Sequence, residues 1–141
     1  MADYPLTTFH FKVDIGGTEI ACSDVTGLSL EYEVLEYRDG TDKTFSKLKM
    51  SGLKKNPNIT IKKGVFKGSK QFYELVGKTE MNKPLRQAMT IQLLDEKDGV
   101  ALTWKVTNAW PVKMTNPDLK ADAGTVAIEQ IEIAHEGFTM E

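Results

Sequence analysis

The residue types that could carry chemistry are few and scattered. The two imidazoles, His10 and His135, stand far apart in the chain. Each lies on the strand parity opposite the nearest phenylalanines, which predicts a solvated or interface position rather than a catalytic or metal-binding one. The single Cys22 has no neighbour in sequence that would lower its thiol pKa and reads as a small buried hydrophobe. Asp95-Glu96-Lys97-Asp98-Gly99 is rich in carboxylates, yet it lacks the ligand spacing and terminal glutamate of an EF-hand and is expected to form an acidic β-turn. Gly64 to Gly68 is not followed by the lysine and hydroxyl of a phosphate-binding loop. A reader of single-stranded nucleic acid would need aromatics interleaved with basic residues, and the lysine-rich middle of the chain offers only Phe45 and Phe66. No enzymatic activity, cofactor or metal is expected.

The elements that position these residues belong to one domain of 141 residues, 1–141, long enough to bury about two-thirds of the surface of its unfolded form. Apolar and charged fractions of 40% and 27% are those of an ordinary globular protein and exclude intrinsic disorder. No run approaches the ~20 apolar residues of a membrane span, so membrane insertion of the chain is not expected. Met1-Ala2-Asp3-Tyr4-Pro5 does not start a secretory signal, and a lone cysteine makes no disulfide framework, so folding in the cytoplasm is expected. The net charge of -2 hides an asymmetry: Arg38 to Lys70 carries ten basic and two acidic residues, the rest eight basic and eighteen acidic. Such a split suits a basic surface that meets either a polyanion or an acidic face of another copy, and equally a solvated lysine-rich loop.

Alternation dominates the pattern. Val100, Leu102, Trp104, Val106, Trp110, Val112 and Met114 share one parity, broken only by Asn108, as in a long strand wetted on one face. Val126, Ile128, Ile131 and Ile133 form a second run whose parity changes, which predicts a bulge at Glu129-Gln130 or a strand covered on both faces. Phe9, Phe11, Val13 and Ile15 alternate before a Gly16-Gly17 hairpin turn and a return strand from Thr18 to about Ser23. A third strand carries Leu28, Leu30, Tyr32 and Val34 opposite Ser29, Glu31 and Glu33. Residues 38–56 show no sustained period and are expected to be a long excursion from the sheet, whose Phe45, Leu48, Met50 and Leu53 suit a docking loop. Ile59 and Ile61 mark a strand over 58–63, and Met89, Ile91 and Leu93 another. Ser69 is placed to cap one helix over about 70–79, with Phe72, Leu75, Val76 and Thr79 on its packed face.

Four segments together carry a family likeness. Phe9-His10-Phe11-Lys12-Val13, Asp24-Val25-Thr26-Gly27-Leu28, Asn108-Ala109-Trp110-Pro111-Val112-Lys113 and Glu129 to Gly137 resemble, in order and over nearly the whole chain, the tail tube proteins of contractile phage tails. The likeness is closest to the inner tube subunit of phage-tail-like contractile injection systems. The resemblance implies a mainly β fold, a flattened antiparallel β-barrel or sandwich with one packed helix and a long inter-strand loop. It marks Trp104, Trp110, Pro111, Ile131, Ile133 and Gly137 as core or motif positions. It implies homo-hexameric rings stacked head to tail into a hollow conduit, driven through a target envelope by contraction of a sheath. Its partners would be the sheath, baseplate and tail-terminator proteins, with a protein effector or DNA as lumen cargo. Assembly would take place in the bacterial cytoplasm, and the product would be a virion tail or a released or membrane-anchored injection particle. On this reading Phe45, Lys47, Leu48, Lys49, Met50, Leu53, Lys54 and Lys55 dock on the neighbouring ring, and Glu31, Glu33, Thr103, Lys105 and Thr107 face the lumen. Two alternatives stay open: a ring-forming tube protein of a type VI secretion system, and a monomeric barrel that binds a small ligand or polyanion through its lysines.

Overall fold

A computed structural model describes residues 10–41, 43, 47–68, 70–77, 86–122 and 124–141. The chain is mainly antiparallel β with one helix. Its strands are β1 Phe11–Ile15, β2 Thr18–Ile20, β3 Asp24–Thr26, β4 Glu31–Tyr37, β5 Leu48–Lys55, β6 Ile59–Gly64, β7 Gln87–Leu94, β8 Val100–Thr115, β9 Ile128–Ala134 and β10 Phe138–Met140, with α1 Gln71–Gly77 between β6 and β7. Eight strands run in the order β2-β1-β7-β8-β9-β6-β3, with β10 also on β8, while β4 and β5 pair with each other as a separate two-stranded sheet.

Strand β8 is long enough to serve two sheets. Its first half pairs with β7 and β10, its second half with β9. In the first sheet Ile15, Met89, Val106 and Phe138 form one inward row and Val13, Ile91 and Trp104 the next. In the second, Val25, Ile61, Ile131 and Met114 align, as do Ile59, Ile133 and Pro111. These rows meet in a single core with Phe72 of α1. The tight turn at Gly16-Gly17 forms as expected, with φ of 58° and 88°.

The row expected along β8 does not keep one parity. Asn108 adopts φ 50°, and the register with β7 slips there, so the inward position passes to Ala109 and Trp110 turns outward beside Ala134. Trp104 keeps its place against the core, and Ile131 and Ile133 are fully inside it. The bend is fixed from outside: Glu136 accepts hydrogen bonds from Asn108 Nδ2 at 2.7 Å and Arg86 Nη1 at 2.6 Å, while the Glu136 amide donates to the Thr107 carbonyl.

Strand β9, by contrast, contains no bulge. Its register with β6 is continuous from Ile59↔Ile133 to Gly64↔Ile128, and the inward residues are Glu129, Ile131, Ile133 and, beyond the strand, His135. The apparent change of parity arises because a buried glutamate holds an inward site. Glu129 lies opposite Lys63, at 3.2 Å, and the ammonium sits 5.0 Å from the centre of the Phe72 ring. Helix α1 packs through Phe72, Leu75 and Val76 as the spacing predicts, and its expected cap Ser69 and last turn at Thr79 lie outside the described residues.

His135 also departs from expectation. It is 8% exposed rather than solvated. Its Nδ1 accepts a hydrogen bond from the Gly137 amide at 3.0 Å, so Nε2 carries the proton and donates to the Pro57 carbonyl at 2.9 Å. His10 remains at the surface, 3.0 Å from Asp98.

Candidate assembly interface

The segment expected to be an irregular docking loop over 38–56 is largely a hairpin. Residues 48–55 form β5, paired with β4 from Tyr37↔Leu48 back to Glu31↔Lys55, with an extra residue on the β5 side opposite Tyr32–Val34. Its alternation was obscured by that insertion and by the adjacent Lys54 and Lys55. Every residue of β4 is exposed on both faces, so the expected inward row Leu28-Leu30-Tyr32-Val34 does not exist beyond Leu28. A two-stranded ribbon covered on neither face is marginal in water, and this one exposes large apolar side chains.

Those side chains are sorted by register. Leu35 faces Met50 and Tyr37 faces Leu48 on one face, each 47–66% exposed. The opposite face pairs Val34 with Ser51 and Glu36 with Lys49, and Lys47 closes on Glu36 at 3.3 Å. The hairpin end is therefore amphipathic. Of the residues expected to dock, Leu48 and Met50 share the apolar face, Leu53 is exposed nearer the root, and Lys47 and Lys49 belong to the polar side. Lys54 and Lys55 lie at the root opposite Tyr32 and Glu31, and Phe45 is outside the described residues. Leu35 and Tyr37 escaped sequence reasoning, because the parity of Tyr32 and Val34 was read as the buried one.

The hairpin is rooted by glycine and histidine contacts. Gly27 has φ 93°, and a Cβ there would collide with the Asn58 carbonyl. His135 holds Pro57 on the other limb of the root. Gly137 itself has φ 131°, a backbone region that favours glycine.

The residues proposed to share a lumen face are divided. Thr103, Lys105 and Thr107 stand together on the outer face of the first sheet, in rows with Lys12 and Gln92 and with Asp14, Thr90 and Thr139. Lys105 pairs with Glu141 at 3.0 Å. Glu31 and Glu33 sit on the hairpin instead.

No group of three or more His, Cys, Asp or Glu placed to hold a metal occurs among the described residues. Burial, with a smaller contribution from Asp24, raises the Cys22 thiol to about 11, which keeps it protonated. Asp95 accepts hydrogen bonds from the amides of Lys97 and Gly99, at 2.9 and 2.7 Å, and so caps its own turn. Among the described residues no helix is long and apolar enough to cross a membrane.

Several solved structures share this architecture. A chain of the PVC sheath-tube complex, from an extracellular contractile injection system in its extended state, is 30% identical with a TM-score of 0.89 over 99% of this chain and 93% of its own. A chain of the anti-feeding prophage tube terminating cap is 32% identical with a TM-score of 0.90 over 100% and 93%. Hcp1 from Flavobacterium johnsoniae, at 14% identity and a TM-score of 0.56 over 92% and 93%, shares the fold. No curated protein sequence matches. The family model described as T4-like virus tail tube protein gp19 matches residues 7–139, nearly the whole chain. The chain belongs to that tail tube family.

Proposed function

We propose that the chain is the inner-tube subunit of a contractile injection system, forming six-membered rings that stack head to tail into a conduit. The observation that carries this reading is the full-length similarity to a chain of a sheath-tube complex. The subunit acts as a rigid wall and not as a catalyst. Its partners are further copies, an enclosing sheath, and baseplate and terminator proteins. The polar face bearing Thr103, Lys105 and Thr107 lines the lumen, where Lys12 and Asp14, and Lys105 and Glu141, offset each other's charge. Strands β2 and β10 end the first sheet among the described residues. Edge-to-edge addition there joins neighbours within a ring and removes edges that would otherwise invite aggregation.

Negative-stain electron microscopy of the purified protein, concentrated at moderate salt, tests the reading. Rings of six-fold symmetry or hollow filaments of uniform width are expected. A species that stays monomeric at all concentrations and binds heparin with steep salt dependence would instead support a polyanion-binding barrel. The charge on the hairpin already speaks against that alternative, because β4 sets Glu31 and Glu36 opposite Lys55 and Lys49.

A further inference from the structure

The hairpin face has a counterpart at the other end of the molecule. The hairpin springs from the Ile59 end of β6, and the Gly64 end lies about 17 Å away at roughly 3.3 Å per residue. There the β8–β9 connection, residues 116–127, leaves Leu119 91% and Val126 79% exposed. Val65, Phe66 and Ile128 extend the same patch, with the Val65 amide donating to the Ala127 carbonyl. Between Pro117–Ala121 and Thr125–Ile128 runs a groove of about 870 Å³, roomy enough for several side chains. A long connection that displays apolar residues around a groove is built to be covered.

We infer that this groove receives the apolar hairpin face, Leu35, Tyr37, Leu48 and Met50, of a second copy in the adjacent ring. The inference rests on the tube reading and adds to it the receiving surface. The two patches stand at opposite ends of one strand and are placed to meet between stacked copies. A head-to-tail contact consumes two unlike patches per subunit, one at each end. Their charges are opposite in sign: the connection carries two aspartates and one lysine, whereas Glu36 to Lys49 carries four basic and three acidic residues.

Two surface variants test the pairing. Leu48→Asp disables the hairpin face and Val126→Asp the groove, and circular dichroism checks that each retains its β signature. Neither variant alone is expected to form filaments, but each keeps one intact patch. Their mixture should therefore yield pairs of rings, sedimenting with twice the mass of either variant's single ring. Filaments from Val126→Asp alone, or a mixture that sediments as its separate components, would overturn the inference while the tube reading stood. Failure of the unmodified protein to form rings or filaments would overturn the tube reading itself. If either variant loses its β signature, Leu119→Lys and Met50→Lys replace it at a second position of the same patch, with the same criteria.

Discussion

At the scale of single residues, the buried polar groups decide most. Lys63 and Glu129, 2% and 7% exposed, were both taken out of water, and their mutual attraction together with the Phe72 ring offsets that cost. Removing one partner strands a charge. Lys63→Met or Glu129→Met alone should therefore lower unfolding free energy by about 3–5 kcal/mol, whereas the double substitution should return it close to the parental value. Urea denaturation of the three variants measures this. His135→Ala leaves the Gly137 amide and the Pro57 carbonyl without their partner and should lose about 1–3 kcal/mol by the same measurement. Cys22 adds a pH dependence. Its thiol is raised from 9.0 to about 11, so the folded state binds the proton more tightly than the unfolded one. The resulting stability is fully present below pH 9 and is lost as pH rises through 11, a loss that Cys22→Ala should remove from the alkaline limb of a melting curve.

At the scale of elements, the corner of β8 and the hairpin make different demands. The corner needs a residue that tolerates positive φ and reaches Glu136; Asn108 does both. Asn108→Val should cost more than about 1 kcal/mol through backbone strain, while Glu136→Gln should cost under about 1 kcal/mol because its pair with Arg86 is exposed; thermal unfolding of the two separates these cases. The hairpin should behave oppositely. Deleting Thr44 to Leu53 removes most of β5, which pairs with β4 alone among the described residues, so the core should melt unchanged while filaments disappear. Much of this was legible in the alternation of β1, β6 and β7 and in the helix spacing, since each buries one clean face. Legibility failed where side-chain chemistry and position part company. Glu129 looked like a break because charge is rarely buried. Asn108 hid a change of parity, and β5 looked like a loop because a ribbon exposed on both faces leaves no burial pattern to read.

At the scale of the whole molecule, the subunit combines a finished core with an unfinished hairpin, and that division predicts how order is distributed before and after assembly. The inward rows of the two sheets are closed by their own side chains and by α1, so their amides should resist hydrogen exchange in the free subunit. The β4–β5 ribbon has no such cover, and its amides should exchange quickly through local opening that leaves the core intact. Assembly changes only the second population. Covering Leu35, Tyr37, Leu48 and Met50 gains about 1.5–3 kcal/mol for each full side chain. Halved for the burial they already have, that sum is about 3–6 kcal/mol and slows exchange by roughly a hundredfold to ten-thousandfold. Hydrogen exchange read by mass spectrometry on free and assembled protein should therefore show protection gained in peptides covering 31–37 and 48–55, with little change in β7 and β9. Equal protection of the hairpin in both samples would mean that its apolar face is covered without a neighbour, and docking between copies would lose its energetic basis.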